Sequence, residues 1–316
     1  MTKPAARLTS LSIRYDAAAH PQFFFPPAFA ARQNAASARR RITSLAPTSG
    51  DHPSSRRTQS SVVISVDGSE WTLLNASPDL SAQFARFPPL GPLKGKLRGS
   101  TLSAVVLTDG EMDHVAGLLS MREQKELRLV CTKAVLNLLS REFPLLPALS
   151  RYVKIAHSSF PFRKRNLHIS TLDLSAKVPP YARRAARRGD VVGLRCHFKD
   201  RRRTRILVYL PGLPSITKSV HQFVAGCDVL LVDGTFWSND EMTSLNLTRR
   251  NARDMGHVPI DGKEGSLAWL RRLDIPRKIY IHINNTNPIL RKNPRERRAV
   301  ESAGIEVAHD GMDIQI

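Results

Sequence analysis

The stretch LTDGEMDHVAGLL, residues 107 to 119, sets Asp109, Glu111, Asp113 and His114 in one short turn between two apolar runs. Carboxylates and imidazoles in that mixture are ligands for a divalent metal, because they offer anionic and neutral donors without redox-sensitive thiolates. Two more segments repeat the pattern. VLLVDGTF carries an apolar run straight into Asp233, and IYIHINNTN carries another into His282. Loops at strand ends are where a layered fold presents its chemistry, so Asp113, His114, Asp233 and His282 are expected to converge. His257, in the Gly-containing segment RDMGHVP, joins them. A set with two histidines and several carboxylates leans away from nitrogen-rich zinc sites and toward iron or manganese. The two-histidine, one-carboxylate triad leaves positions open for dioxygen.

Each residue also has a plainer reading. Asp113 can cap a helix ahead of HVAGLL, and Asp233 before Gly234 can be a turn residue. His282, flanked by Ile281 and Ile283 within a strand, can be a hydrogen-bonded structural histidine, and so can His257. Asp109 and Glu111 can be solvated, the expected state for Glu111. The amides of Asn284, Asn285 and Asn287 in INNTNP either orient substrate or satisfy a turn before Pro288. The metal reading rests on the repeated spacing, not on any single residue.

Several segments must position these side chains. SVVISV and EWTLLN, joined by DGS, read as a hairpin, since Asp-Gly favours the positive φ of tight turns. SAVVLTD, ELRLVCT, RILVYL, DVLLVDGTF, RKIYIHI and GIEVAH read as further strands, whereas HVAGLLSMRE, AVLNLLSREF and SLAWLRRL have helical spacing. Many strands with interspersed helices indicate an α/β domain, layered as α/β/β/α. Residues 1–56, rich in Ala, Arg, Ser and Pro without a sustained period, are expected to be disordered, and the domain is expected to span 57–316.

Composition narrows the function classes. The chain has 316 residues, 41% of them hydrophobic, which suffices for a real core. Cys131, Cys196 and Cys227 form no C-x-x-C pair, so neither a disulfide framework nor a thiolate zinc knuckle is expected. No apolar run is long enough to span a bilayer and no secretory leader is legible, which points to the cytoplasm. The net charge of +21 raises a polyanion partner. Between Arg183 and Arg205, however, ten Lys or Arg face only Asp190 and Asp200, with Phe198 as the single Phe, Tyr or Trp among them and so no aromatic interleaving. A solvated basic surface is therefore expected, and no nucleic acid.

TDGEMDH resembles the T-H-x-H-x-D-H signature of the metallo-β-lactamase superfamily, with Asp109 and Glu111 where that signature has its two leading histidines. LLVDGTFW looks like the superfamily's metal-bridging Asp segment, DMGHVP its later histidine loop and IHINNTNP its terminal histidine strand. With RTQSS, LLNASPD, PPY, GDVVGL and YLPGL, these segments resemble the family of coenzyme PQQ synthesis protein B, from about Arg57 onward.

The resemblance implies a four-layer αββα sandwich acting in the biosynthesis of pyrroloquinoline quinone (PQQ). It implies iron- and oxygen-dependent hydroxylation of a tyrosine-derived precursor, or carriage of the quinone or its precursor. A metal-dependent hydrolase or nuclease of the same superfamily is a third reading, disfavoured by the two missing histidines. Carried over by position, the catalytic and metal-ligating candidates are Asp113, His114, Asp233 and His282, with Asp109 and His257 as ligands or direct supports. Fe(II) is the expected ion, with zinc or manganese as alternatives. The expected partners are the precursor, dioxygen and other PQQ-biosynthesis proteins, and a homodimer fits the family. Members begin with a Gly-rich strand and cysteines that hold a structural zinc. Residues 1–56 contain no cysteine, so that zinc is not expected, and the segment reads like translation of a GC-rich gene in another frame.

Overall fold

Alternation decides which way each strand faces, because successive side chains point to opposite sides of a sheet. The computed structural model describes residues 57–91, 99–199, 203–291 and 293–316, and the expectation for residues 1–56 lies outside them. The predicted hairpin is β1 (Val62–Ile64) with β2 (Trp71–Leu74), paired antiparallel with Val63 opposite Leu73. Gly68 turns it at φ 73°, and Asp67 Oδ1 accepts from the Ser69 amide at 2.9 Å. Beside it, β3 (Leu102–Val106), β4 (Glu126–Val130) and β5 (Lys154–Ser158) run parallel to β2 in the order β1-β2-β3-β4-β5.

A second sheet starts with the antiparallel strands β6 (Phe162–Lys164), β7 (Leu167–Asp173), β8 (Val192–Lys199) and β9 (Thr204–Leu210). It continues parallel to β9 through β10 (Val229–Asp233), β11 (Arg277–Ile281) and β12 (Glu306–Val307).

Three apolar layers separate four structural ones. Val62, Ile64, Ala104 and Val106 of the first sheet meet Leu194, Leu207, Leu231 and Ile279 of the second in a central core. On the first sheet's outer face, Val63, Val105 and Leu107 pack under the helices at 80–86, 133–137 and 145–149. On the second sheet's outer face, Leu230, Val232 and Tyr280 pack under the helices at 218–224, 266–270 and 295–301. This is the expected αββα sandwich. Each fully buried Leu or Ile stabilises it by about 1.5–3 kcal/mol.

The structure departs from the sequence reading in its short elements. HVAGLLSMRE is not one α-helix but a single turn, Met112–Val115, continued as a 3₁₀ segment over Ala116–Met121. Gly117 presses against the 76–77 backbone there, its amide donating to the Ala76 carbonyl at 2.9 Å while the Ala76 amide donates to the His114 carbonyl at 2.7 Å. AVLNLLSREF begins as an α-helix capped by Thr132 and ends in a π turn over Leu138–Glu142. Strands β5 to β8 are not among the expected ones: KIAHS and FRK are short and half-polar, whereas LHISTLD and VGLRCHFK do alternate but lack a continuous apolar run. The strand expected to contain His282 stops at Ile281.

A Cβ at position 117 would stand 2.1 Å from the Ser77 carbonyl oxygen, which is backbone and cannot swing aside. Gly117→Ala is therefore expected to destabilise the fold by about 1–3 kcal/mol or more. An unchanged urea midpoint would show that the 112–121 segment is not anchored as described.

Candidate metal centre

Strands β3, β10 and β11 end at one edge of the sandwich, and the residues just beyond them meet there. Asp109 is 3% exposed. Its Oδ2 accepts from the Thr108 hydroxyl at 2.7 Å, its Oδ1 from the Glu111 amide at 2.9 Å, and both oxygens lie 2.8 Å from His114 Nδ1. Thr108 is held in turn by Asn75, whose side-chain oxygen accepts the Thr108 amide at 3.0 Å. A carboxylate is acceptor-only, so His114 carries its proton on Nδ1 and presents Nε2 forward. That Nε2 is buried and makes no hydrogen bond.

Asp233, 1% exposed, repeats the device from the other sheet. Its Oδ1 accepts from the Thr235 amide at 3.0 Å and the Thr235 hydroxyl at 2.6 Å. Its Oδ2 accepts from the Leu213 amide at 3.0 Å and lies 2.7 Å from His257 Nδ1. The Thr235 oxygen also stands 2.7 Å from His282 Nδ1. Each of the three rings thus has Nδ1 against Asp109, Asp233 or Thr235 and turns Nε2 toward the others, and the His282 Nε2 lies 3.0 Å from Asp113 Oδ2, which can only accept. Backbone strain completes the placement. His282 has φ 53°, in the left-handed region that a residue with a side chain adopts at a cost, and such outliers cluster at functional sites.

Asp113 faces this array. It sits in the first helical turn and is not its N-cap, a place taken by Glu111. Its Oδ2 is 3.0 Å from His282 Nε2 and 3.8 Å from His114 Nε2, with the side chain 41% exposed. The rings of His114 and His282 lie 4.9 Å apart, and those of His257 and His282 stack at 5.6 Å. Two donor groups result, Asp113–His114–His282 and Asp233–His257–His282, with ligand atoms within 4.8 Å of one another. They share His282. The hydrogen bonds on Asp233 and on Asp109 let both carboxylates support imidazoles, while Asp233 also belongs to the second donor group. Asp113 is the carboxylate that still faces outward.

Burial opposes charge on Asp109, Asp113, His114 and Asp233, yet neighbouring charges outweigh it. Burial raises the Asp113 carboxyl, but His114 and His282 outweigh it and hold it far below the usual carboxylate range. Asp109 and Asp233 are lowered against burial by His114 and His257 respectively. Burial alone would lower His114, but Asp109 and Asp113 push it up to about 9.

The centre opens on a cavity of about 260 Å³. Leu174, Ala176, Val178, Pro180 and Phe236 form apolar walls, while Glu111, Lys177 and Arg250 add charge. Glu111, expected to be solvated, is instead 23% exposed and lies 3.2 Å from Lys177. Lys177, Arg250 and Thr235 were not singled out from the sequence, because lone polar residues in loops carry no periodic signal. Asn284, Asn285 and Asn287 do not line the cavity. Asn287, 1% exposed, donates to the Gly234 carbonyl at 2.8 Å and accepts the Ile289 amide at 3.1 Å. Asn284 donates to the Thr286 hydroxyl at 2.6 Å, and Asn285 is exposed. Of the three side-chain amides, that of Asn287 backs the 233–235 turn.

Two outcomes follow from the His114 geometry. Asp109→Asn keeps the shape but offers the imidazole an amide in place of an anion, so affinity for divalent metal is expected to fall about 10–100-fold, read by competition with a chelator. The His114 pair stabilises the metal-free protein below pH 6.5 and loses that contribution as the pH climbs through about 9. A metal must displace the same proton. Calorimetry at pH 7.5 in two buffers of different ionisation enthalpy is expected to show proton release on zinc binding, and buffer-independent heats would contradict it.

The sequence matches the Beta-lactamase superfamily domain over residues 70–283. It is 42% identical over 271 residues to coenzyme PQQ synthesis protein B of Cupriavidus necator, covering 82% of this chain and 88% of that protein. The crystal structure of zinc-bound PqqB from Methylobacterium extorquens superposes with a TM-score of 0.75 at 34% identity, covering 83% of this chain and 88% of that one. A diphosphatase of the PhnP family, 18% identical with a TM-score of 0.57 over 85% of this chain and 88% of its own, shares the fold. The chain belongs to the coenzyme PQQ synthesis protein B family of the beta-lactamase superfamily.

Proposed function

We propose that this protein acts in PQQ biosynthesis as an iron- and oxygen-dependent hydroxylase of a tyrosine-derived precursor. Family membership supports the pathway. The observation that carries the chemistry is the pairing of two Nε2-presenting imidazoles, His114 and His282, with the outward-facing carboxylate of Asp113 at the base of a cavity. The buried, unpartnered Nε2 of His114 fits a metal ligand better than a structural histidine, because an orphaned buried nitrogen otherwise costs about 1–3 kcal/mol. Asp113, His114 and His282 would hold the ion, with His257 beside them. Two imidazoles and one carboxylate are the donor set that suits Fe(II) and leaves positions open, whereas zinc also accepts these donors.

A ferrous ion supplies dioxygen activation, chemistry that no side chain provides. The residues of the chain position and protect. Asp109, Asp233 and Thr235 lock the imidazoles, and the apolar walls at Leu174, Val178 and Phe236 keep water from an aromatic ring placed between them. Asp109 and Glu111 replace two histidines of the hydrolase signature. One supports His114 and the other faces Lys177, which supports a reading with one ion over a hydrolase with two.

Protein reconstituted anaerobically with Fe(II) is expected to hold stoichiometric iron by elemental analysis and to consume oxygen with a tyrosine-derived substrate. His114→Ala and His282→Ala are each expected to lose the iron and the uptake. A folded protein that takes up no metal would replace this reading with that of a carrier.

A further inference from the structure

The cavity wall carries an ion pair that the metal centre does not use. Lys177 Nζ lies 3.2 Å from Glu111 Oε1, with the two side chains 29% and 23% exposed. Both residues line the cavity beside Asp113, His114 and His282. A pair at that exposure contributes little stability, since solvent screens it and ordering a lysine costs rotamer entropy. The surroundings nevertheless hold the Lys177 stem and the Glu111 backbone. The Lys177 stem runs along Gly256, where a Cβ would come within 2.8 Å of Cε and 2.9 Å of Cδ. Gly256 has φ 82°, a conformation that favours glycine, so the backbone next to His257 is shaped to pass this stem. The Glu111 amide is tied to Asp109 Oδ1 at 2.9 Å.

An ammonium has three donors and a carboxylate has two oxygens. Apart from each other, Nζ of Lys177 and the Glu111 carboxylate have no polar partner among the described residues. A cation with open donors therefore stands beside an anion with an open acceptor, both facing a small cavity. Arg250 also borders it but is exposed, and its guanidinium donates to the Asp254 carbonyl.

We propose that Lys177 and Glu111 anchor the head group of a free α-amino acid, Lys177 taking the α-carboxylate and Glu111 the α-ammonium. A zwitterion laid antiparallel to the pair alternates four charges and makes charge-assisted hydrogen bonds at both ends. The volume agrees. About 260 Å³, near the lower end of the roughly 300–1,000 Å³ of ligand pockets, has room for one aromatic amino acid. The identity of the aromatic side chain rests on the hydroxylase reading, but recognition of the head group is a binding property measured without turnover.

The zinc-loaded full chain is titrated by calorimetry with L-tyrosine, with tyramine, which lacks the carboxylate, and with 3-(4-hydroxyphenyl)propionate, which lacks the ammonium. L-Tyrosine is expected to bind at least about tenfold more tightly than either, the effect of one lost charged hydrogen bond. Lys177→Met is expected to bring L-tyrosine level with tyramine while keeping its lead over the propionate. Glu111→Gln is expected to do the reverse, both variants holding full zinc, and Lys177→Arg to retain the discrimination. Equal binding of all three probes by the unaltered protein, or no binding of L-tyrosine, would overturn the proposal without any variant. Discrimination without oxygen uptake by the iron-loaded protein would leave the head-group site standing and remove the hydroxylase. Uptake without discrimination would remove only the head-group site.

Discussion

A buried carboxylate gripping the Nδ1 of a histidine is the interaction on which the rest of this structure depends. Asp109 does this to His114 and Asp233 to His257, each at under 3 Å and each nearly sealed from solvent. An isolated carboxylate buried this way would be costly, and the imidazole's N–H together with backbone and hydroxyl donors offsets that cost. The direction of each ring is settled as a result. A histidine free at both nitrogens could offer either one, whereas these can offer only Nε2.

The sandwich exists in a form that lets those carboxylates be buried. Parallel strands β3, β10 and β11 finish at a common edge, so consecutive residues can leave the sheet and turn inward together. Locally the supports are small. Asn75 holds Thr108, Gly117 docks the 112–121 segment on the 76–77 backbone, and Asn287 backs the turn after Asp233. The left-handed backbone at His282 stores a cost of about 1–3 kcal/mol, which the surrounding hydrogen bonds hold in place.

Much of this was legible in the sequence. The strands buried on both faces follow from continuous apolar runs such as SVVISV and DVLLVD, and the convergence of Asp113, His114, Asp233 and His282 follows from apolar strands that lead into Asp or His, with His257 supplied from a Gly-containing loop. What was hidden depends on tertiary contact. Strands β7 and β8 carry the alternation of half-buried strands in LHIS and LRCHF, but their polar positions keep them from standing out as the continuous apolar runs do. The tight turn at Gly117 is imposed by a neighbouring loop and not by its own propensity. The separation of supporting from outward-facing carboxylates needs coordinates, because Asp109 and Asp113 are chemically identical and only four residues apart. Lys177 has no signal at all outside the fold, since Gly256 is what guides its stem.

The candidate ligand atoms come from both halves of the sandwich, Asp113 and His114 from the first sheet's edge and His257 and His282 from the second's. Between them runs the seam along which two sheets meet through apolar contact, which has no preferred register of its own. An ion held from both sides would act there as a rivet. Shear along the seam would have to break its bonds to both sheets, a resistance that the packed side chains alone do not offer. The cohesion of the molecule would then track the free concentration of the ion, gaining about 1.4 kcal/mol for each tenfold rise above the dissociation constant.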